Sequence, residues 1–204
     1  MRVNKKKFIY LISPNKIYKN FFRDLQKVIE TGKISFFQLR LKKYSSKNKI
    51  LIGKKIKNIC KKNKVKFLIN DDPILAKRLS ADGCHLGHKD VNIKEARKII
   101  GKKIIGITCH NSITLAKIAI KAKASYIAFG AFYSSKTKKT NHEANIKILK
   151  KIKNITKTPI VAIGGINSEN YKNLLLNNAN FLAISGYVWN NKKYKPIEAI
   201  EKLK

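Results

Sequence analysis

Acidic side chains are scarce in this chain. Only 11 Asp plus Glu stand against 46 Lys plus Arg, a formal net charge of +35. Each acid therefore carries weight, and two of them, Asp71 and Asp72, stand side by side in "KFLINDDP" (66–73). Cysteine is also rare. Cys60, Cys84 and Cys109 are odd in number, widely spaced and set in apolar stretches, which excludes a disulfide framework and a zinc spacing and points to reduced thiols in a cytoplasm. Four prolines and ten glycines are too few for a low-complexity linker. No apolar run approaches the ~20 residues of a membrane helix. The basic start "MRVNKKKFIYLISPNK" has a short apolar part and no small-residue cleavage site, so a first strand is expected there rather than a leader.

Arginine is scarce as well: five accompany the lysines, which are spread along the whole chain among Asn and Ile. That pattern gives solvated helix faces rather than a recognition patch. It argues against a specific nucleic-acid partner and leaves weak, salt-sensitive binding at most. No membrane partner is expected, and self-association is left open.

What the chain does have is apolar content, 44% of residues, enough for a sizeable core in a chain of 204 residues. It is arranged in a rhythm. Short runs rich in Ile, Val and aromatics recur at 8–13, 34–41, 66–71, 83–87, 104–109, 126–130, 159–165 and 181–186. Most place apolar residues on consecutive positions, as strands buried on both faces do. Lys-rich stretches with helical spacing separate them at 19–31, 45–63, 93–99, 112–122, 143–154 and 168–177. Asn111, Ser112 and Thr114, and later Asn167 and Ser168, offer helix starts, and the link 72–82 has room for a small helix only. Eight strands alternating with helices predict a single (β/α)8 TIM barrel over 1–204. An open doubly wound sheet would carry an early glycine fingerprint, and "LISPNK" after the first run has none.

In such a barrel the functional groups gather at the C-terminal strand ends. The second run ends in Gln38, Arg40 and Lys42, which share one face by their period of two. Arg40 stands out where Lys is used almost everywhere, since its planar fork binds phosphate bidentately. Asn70 and Asp71 end the third run, Asp90 follows the fourth, and Thr108 and His110 end the fifth. Asp71 alone reads better as a helix cap. Together with Asp90 it makes a carboxylate pair suited to Mg2+ beside a substrate phosphate. Asp72 is the cap or a supporting group. Gly164 and Gly165 after the seventh run and Ser185-Gly186 after the eighth fit a phosphate cradle of backbone N–H groups. His85 reads as a packed strand residue and His88 as a surface one.

These segments together resemble the thiamine-phosphate synthase family. The resemblance rests on "QLRLK" (38–42), "INDDPILAKRLSADGCHLGHKD" (69–90), "GITCHN" (106–111), "FGAFYSSKTKKT" (129–140), "VAIGGI" (161–166) and "LAISG" (182–186), six blocks in order over nearly the whole chain. It implies condensation of hydroxymethylpyrimidine diphosphate with thiazole phosphate, giving thiamine phosphate and pyrophosphate. It implies pyrimidine-diphosphate contacts along 38–42 (Gln38, Leu39, Arg40, Leu41 and Lys42) and at Asn70, Thr108 and Lys138. Arg40, Lys42 and Lys138 would serve the chemistry, and Mg2+ would sit on Asp71 and Asp90. Thiazole phosphate would meet Ser135, Lys136, Thr137, Gly165, Ile184 and Ser185. Leu41 stands where the family has Glu, and Ala131 and Ser134 stand where it has prolines. A thiazole tautomerase of the same superfamily, and a non-catalytic basic barrel that binds nucleic acid, are the competing expectations. The first has no need of the carboxylate pair, and the second calls for clustered charge with stacking aromatics.

Overall fold

The computed structural model describes residues 7–87, 90–134 and 143–204. Eight parallel strands close into a barrel in chain order, each hydrogen-bonded to the next and β8 to β1. They are β1 (Ile9–Ile12), β2 (Ile34–Leu39), β3 (Lys66–Asn70), β4 (Gly83–Leu86), β5 (Ile104–His110), β6 (Tyr126–Phe129), β7 (Ile160–Ile163) and β8 (Phe181–Ile184). The helices between them are α1 (Phe21–Glu30), α2 (Ser46–Lys62), α3 (Pro73–Arg78), α4 (Ile93–Ile100), α5 (Ile113–Lys121), α6 (Lys147–Lys153) and α7 (Tyr171–Leu176); α8 (Gly186–Trp189) and α9 (Pro196–Glu201) follow β8.

The continuous apolar runs are explained by two cores that share the strands. In β1, Ile9 and Leu11 point outward into the layer beneath the helices, while Tyr10 and Ile12 point into the barrel. In β6, Ile127 and Phe129 face the helices and Tyr126 and Ala128 face inward. Both sets are buried, so no polar residue marks either face. On the outside, α1 buries Phe21, Leu25, Val28 and Ile29, each worth about 1.5–3 kcal/mol over an exposed position. Inside, Tyr10, Phe36, Tyr126 and Phe181 fill the barrel as an aromatic cluster with ring centroids 5.0–6.1 Å apart. Gly106 is required by that filling, because a Cβ there would overlap the Tyr126 ring.

Short polar residues cap several of the helices, Ser112 among them as expected. Ser45, Asn92 and Ser112 accept hydrogen bonds from the backbone of Asn48, Glu95 and Leu115. Asp72 accepts from Leu75 N–H at 2.8 Å, with Pro73 in the first turn, and so caps α3. Asn167 and Ser168 differ from expectation, since α7 begins later, at Tyr171. The Asn167 side chain instead accepts from Glu169 and Asn170 N–H, holding a turn ahead of the helix. The 143–154 stretch is helical only over Lys147–Lys153. No helix among the described residues is long and apolar enough to cross a membrane.

Candidate active site

A cavity of about 1230 Å³ opens at the C-terminal ends of the strands. The inward-facing ends of the strands and the loops that follow them line it. Gln38, Arg40, Lys42, Asn70, Asp71, Asp90, Thr108, Gly165, Ile184 and Ser185 all border this one space. Leu39 and Leu41 do not. Their side chains are 2% and 3% exposed, packed in the helix-side core, and they line a smaller hollow of about 260 Å³ with Lys49 and Asp72. The alternation that sends Gln38 and Arg40 inward sends these leucines outward. Ser135, Lys136, Thr137 and Lys138 lie outside the described residues.

One side of the cavity concentrates full charges. Lys42 Nζ lies 3.1 Å from Asp71 Oδ2. Asp71 holds a left-handed backbone, φ 64°, with its N–H on the His85 carbonyl at 2.8 Å, so the β3 end is tied to β4. Asp90 accepts from Gly87 N–H at 2.6 Å. Burial raises the Asp90 pKa above the ordinary carboxylate range. The neighbouring Asp71 carboxylate raises it further, while the Gly87 N–H and the Lys42 ammonium oppose the rise. Two carboxylates are thus held close together, with the Lys42 ammonium beside Asp71. Arg40 is steered by the loop after β1: Asn15 Oδ1 accepts from its Nη1 at 3.1 Å, and Ser13 Oγ accepts from its backbone N–H at 2.9 Å.

The opposite side is built from backbone. Gly164 and Gly165 have φ of 106° and 61°, conformations that L side chains rarely adopt. A Cβ on Gly165 would overlap Tyr133 and Ser134, and one on Gly164 would overlap Ala131. The Gly165 carbonyl accepts from Asn170 Nδ2 at 3.1 Å, which fixes the turn. Ser185 Oγ donates to the Ser13 carbonyl at 3.1 Å, and the short α8 starts beside it. Ser13, only 2% exposed, therefore joins the Arg40 side to the Ser185 side.

The floor carries a polar chain that joins Gln38 and Thr108, both expected at the site, through Tyr10, Tyr126 and His85, which were not. Gln38 Nε2 donates to Tyr10 Oη at 2.7 Å, and Tyr10 and Tyr126 hydroxyls meet at 2.8 Å. The Tyr126 hydroxyl lies 2.9 Å from His85 Nδ1, and His85 Nε2 lies 2.8 Å from Thr108 Oγ1. Burial lowers the His85 pKa to about 4; the Asp71 carboxylate opposes this and the Arg40 guanidinium reinforces it. The available signal for His85 was its place between Cys84 and Leu86, which face the helices and leave it facing in. For Ser13 and Asn15 the signal was their position just past the first strand, on the rim. His110 and His85 both line the cavity.

A (β/α)8 barrel with cationic side chains, paired carboxylates and two glycines around one rim cavity has the form of an enzyme that acts on small molecules. Comparison with known proteins narrows this. The family model described as thiamine monophosphate synthase matches residues 9–188. A thiamine-phosphate synthase of Pelagibacter ubique is 67% identical, with all of both chains covered. One from Erythrobacter litoralis is 38% identical over 94% of this chain and 92% of that one. Among solved structures, a thiamine phosphate pyrophosphorylase from Pyrococcus furiosus superposes with a TM-score of 0.86 at 27% identity, covering 97% and 94% of the two chains. An orotidine 5'-phosphate decarboxylase from Pyrococcus horikoshii, 12% identical with a TM-score of 0.67, shares the fold. The chain belongs to the thiamine-phosphate synthase family. It is a transferase of thiamine biosynthesis, and the reaction is the family's: formation of thiamine phosphate with release of pyrophosphate.

Proposed function

We propose that the rim cavity binds hydroxymethylpyrimidine diphosphate on its β2–β5 side and thiazole phosphate on its β7–β8 side, and joins them there. The observation that carries this is the convergence of Arg40, Lys42, Asp71 and Asp90 on one side of a cavity whose other side is the Gly165–Ser185 cradle. Arg40 and Lys42 grip the diphosphate. As the bond between the pyrimidine methylene carbon and the diphosphate oxygen breaks, the bonding pair leaves with pyrophosphate. These cations stabilise the charge that develops on it. The electron-poor methylene carbon is then attacked by the thiazole nitrogen lone pair, which forms the new C–N bond and gives the thiazolium of thiamine phosphate. The cradle at Gly165, Ile184 and Ser185 anchors the thiazole phosphate so that the nitrogen faces that carbon, which is catalysis by positioning. Ser135, Lys136, Thr137 and Lys138 are assigned to the two phosphates by resemblance alone.

The donor set fits Mg2+. Among the described residues no group of three or more His, Cys, Asp or Glu could hold a metal. Two carboxylates completed by water and substrate phosphate are what Mg2+ commonly takes. Burial first and the Asp71 carboxylate second raise the Asp90 pKa, and a divalent cation at the pair would oppose both. Asp71 and Asp90 would hold the ion, which supplies charge neutralisation for the diphosphate. The three free cysteines are all buried, which supports a reducing, cytoplasmic setting for one domain over 1–204. The test is an assay of the purified protein with both substrates, with and without a chelator, reading pyrophosphate. Metal-dependent release that needs both substrates is expected; no release under any divalent metal would overturn the reading.

A further inference from the structure

Five side chains on five strands make one unbroken hydrogen-bond chain under the cavity: Gln38 (β2), Tyr10 (β1), Tyr126 (β6), His85 (β4) and Thr108 (β5), with links of 2.7, 2.8, 2.9 and 2.8 Å. Phenylalanine would fill the barrel at positions 10 and 126 equally well, as Phe36 does beside them. The hydroxyls are therefore accounted for by the chain and not by packing. Counting hydrogens gives the chain a direction. The Gln38 amide nitrogen donates to Tyr10, so Tyr10 passes its single hydrogen to Tyr126. Tyr126 passes its own to His85 Nδ1, which must then be bare. The one ring hydrogen of a neutral imidazole sits on Nε2 and goes to Thr108 Oγ1. Thr108, which lines the cavity, keeps its hydroxyl hydrogen for a ligand. An imidazolium would break the count: both ring nitrogens would donate, and the hydrogen of Tyr126, a residue 2% exposed, would be left without an acceptor.

We propose that Tyr10, Tyr126 and His85 are positioning residues that fix the hydrogen-bond sense of the cavity floor, so that Gln38 presents its amide oxygen as an acceptor and Thr108 its hydroxyl as a donor. The matching ligand offers an N–H toward Gln38 and a bare ring nitrogen toward Thr108. A 4-aminopyrimidine does so. Its 4-oxo counterpart sets a carbonyl oxygen against the Gln38 oxygen and is rejected, since an unmatched buried polar pair discriminates strongly. The ligand half of this inference rests on the function proposed above; the proton order does not.

Nitrogen-15 spectra of histidine-labelled protein without ligand, near pH 7, test the proton order. His85 is assigned by its loss in His85→Gln. A single Nε2–H tautomer is expected, and in Tyr126→Phe, where Nδ1 loses its donor, a mixture with Nδ1–H. A purely structural tyrosine would leave the tautomer alone, and an Nδ1–H tautomer in the unaltered protein would overturn the proposal. Calorimetry with the 4-amino and 4-oxo pyrimidine diphosphates tests the ligand half. The preference for the amino form should fall at least tenfold in Tyr126→Phe. If that variant does not fold, Thr108→Val removes the donor at nearly constant shape and should show the same fall. An unchanged preference would overturn the specificity assignment. No binding of either pyrimidine to the unaltered protein would instead remove the proposed function, leaving the tautomer result to stand or fall separately.

Discussion

The two sides of the rim cavity are built by different means. On the β2–β5 side the groups are full charges on side chains: Arg40, Lys42, Asp71 and Asp90. On the β7–β8 side they are backbone and two glycines in conformations other residues avoid, beside the Ser185 hydroxyl that donates to the Ser13 carbonyl. In the proposed reaction the diphosphate gains charge as it departs, whereas the thiazole phosphate keeps the same charge throughout. Strong charge is useful only where charge changes, and neutral donors suffice for an anchor. In that proposal the difference between the sides is a difference between a reacting group and a handle.

The largest effect expected from this division is at the carboxylates. Asp71→Asn and Asp90→Asn should each lower kcat/KM by about 100-fold or more, the scale seen when a preorganised transition-state group is removed. Steady-state kinetics across a Mg2+ titration checks this, and near-normal turnover in both variants would leave the two sides with no difference in kind.

Acid should act on the floor beneath the charged side. The His85 pKa is about 4 in the fold and 6.5 in the unfolded chain. Below pH 6.5 the unfolded chain binds a proton that the folded protein does not, so folding loses stability as pH falls from 6.5 toward 4. The loss is at most about 3 kcal/mol. Denaturant melts of the protein and of His85→Gln over that range should diverge, the variant showing the shallower slope. Parallel slopes would place His85 in ordinary solvent.

Arg40→Lys keeps the charge and loses the fork. A charge-assisted bidentate contact is worth about 1.5–3 kcal/mol. Calorimetry should show binding of the pyrimidine diphosphate weakened by about tenfold or more, with thiazole phosphate nearly unchanged. Gly165→Ala should do the reverse. It strains the backbone and pushes Tyr133 and Ser134 out of place, so thiazole phosphate should weaken by about tenfold, roughly 1.4 kcal/mol. Equal losses of both ligands in both variants would mean that the sites are one site.

The smallest effect separates the neighbouring acids. Asp72 caps α3 and does not line the cavity. Asp72→Ala should lower stability by about 1 kcal/mol and leave kcat/KM close to unaltered. A thermal melt and the steady-state assay on one preparation distinguish this from the Asp71 result.

The sequence was most legible where function uses unusual residue types. In an acid-poor, Lys-rich chain, an arginine and a carboxylate pair at run ends are visible without a structure, and Arg40, Asp71 and Asp90 do meet at one cavity. The glycine side was legible through "GG" and "SG" at the ends of the last runs. Leu39 and Leu41 were drawn in with the segment they belong to, and the strand alternation puts their side chains on the far face. The floor was hidden. Tyr10, Tyr126 and His85 sit in runs whose residues are buried on both faces, so a tyrosine aimed at a hydrogen bond reads the same as one filling a core.

By itself the sequence determined the eight-fold alternation, because short apolar runs and Lys-rich helical spacing are local patterns. It also determined which strand ends carry charge. Tertiary structure alone decided which polar groups meet. Gln38 and Thr108 are 70 residues apart in the chain, and barrel closure, pairing β8 to β1, is what brings β2, β1, β6, β4 and β5 around one interior. Hydrogen bonds have a reach of about 3 Å, so their partners are fixed by that closure and leave no trace in local composition.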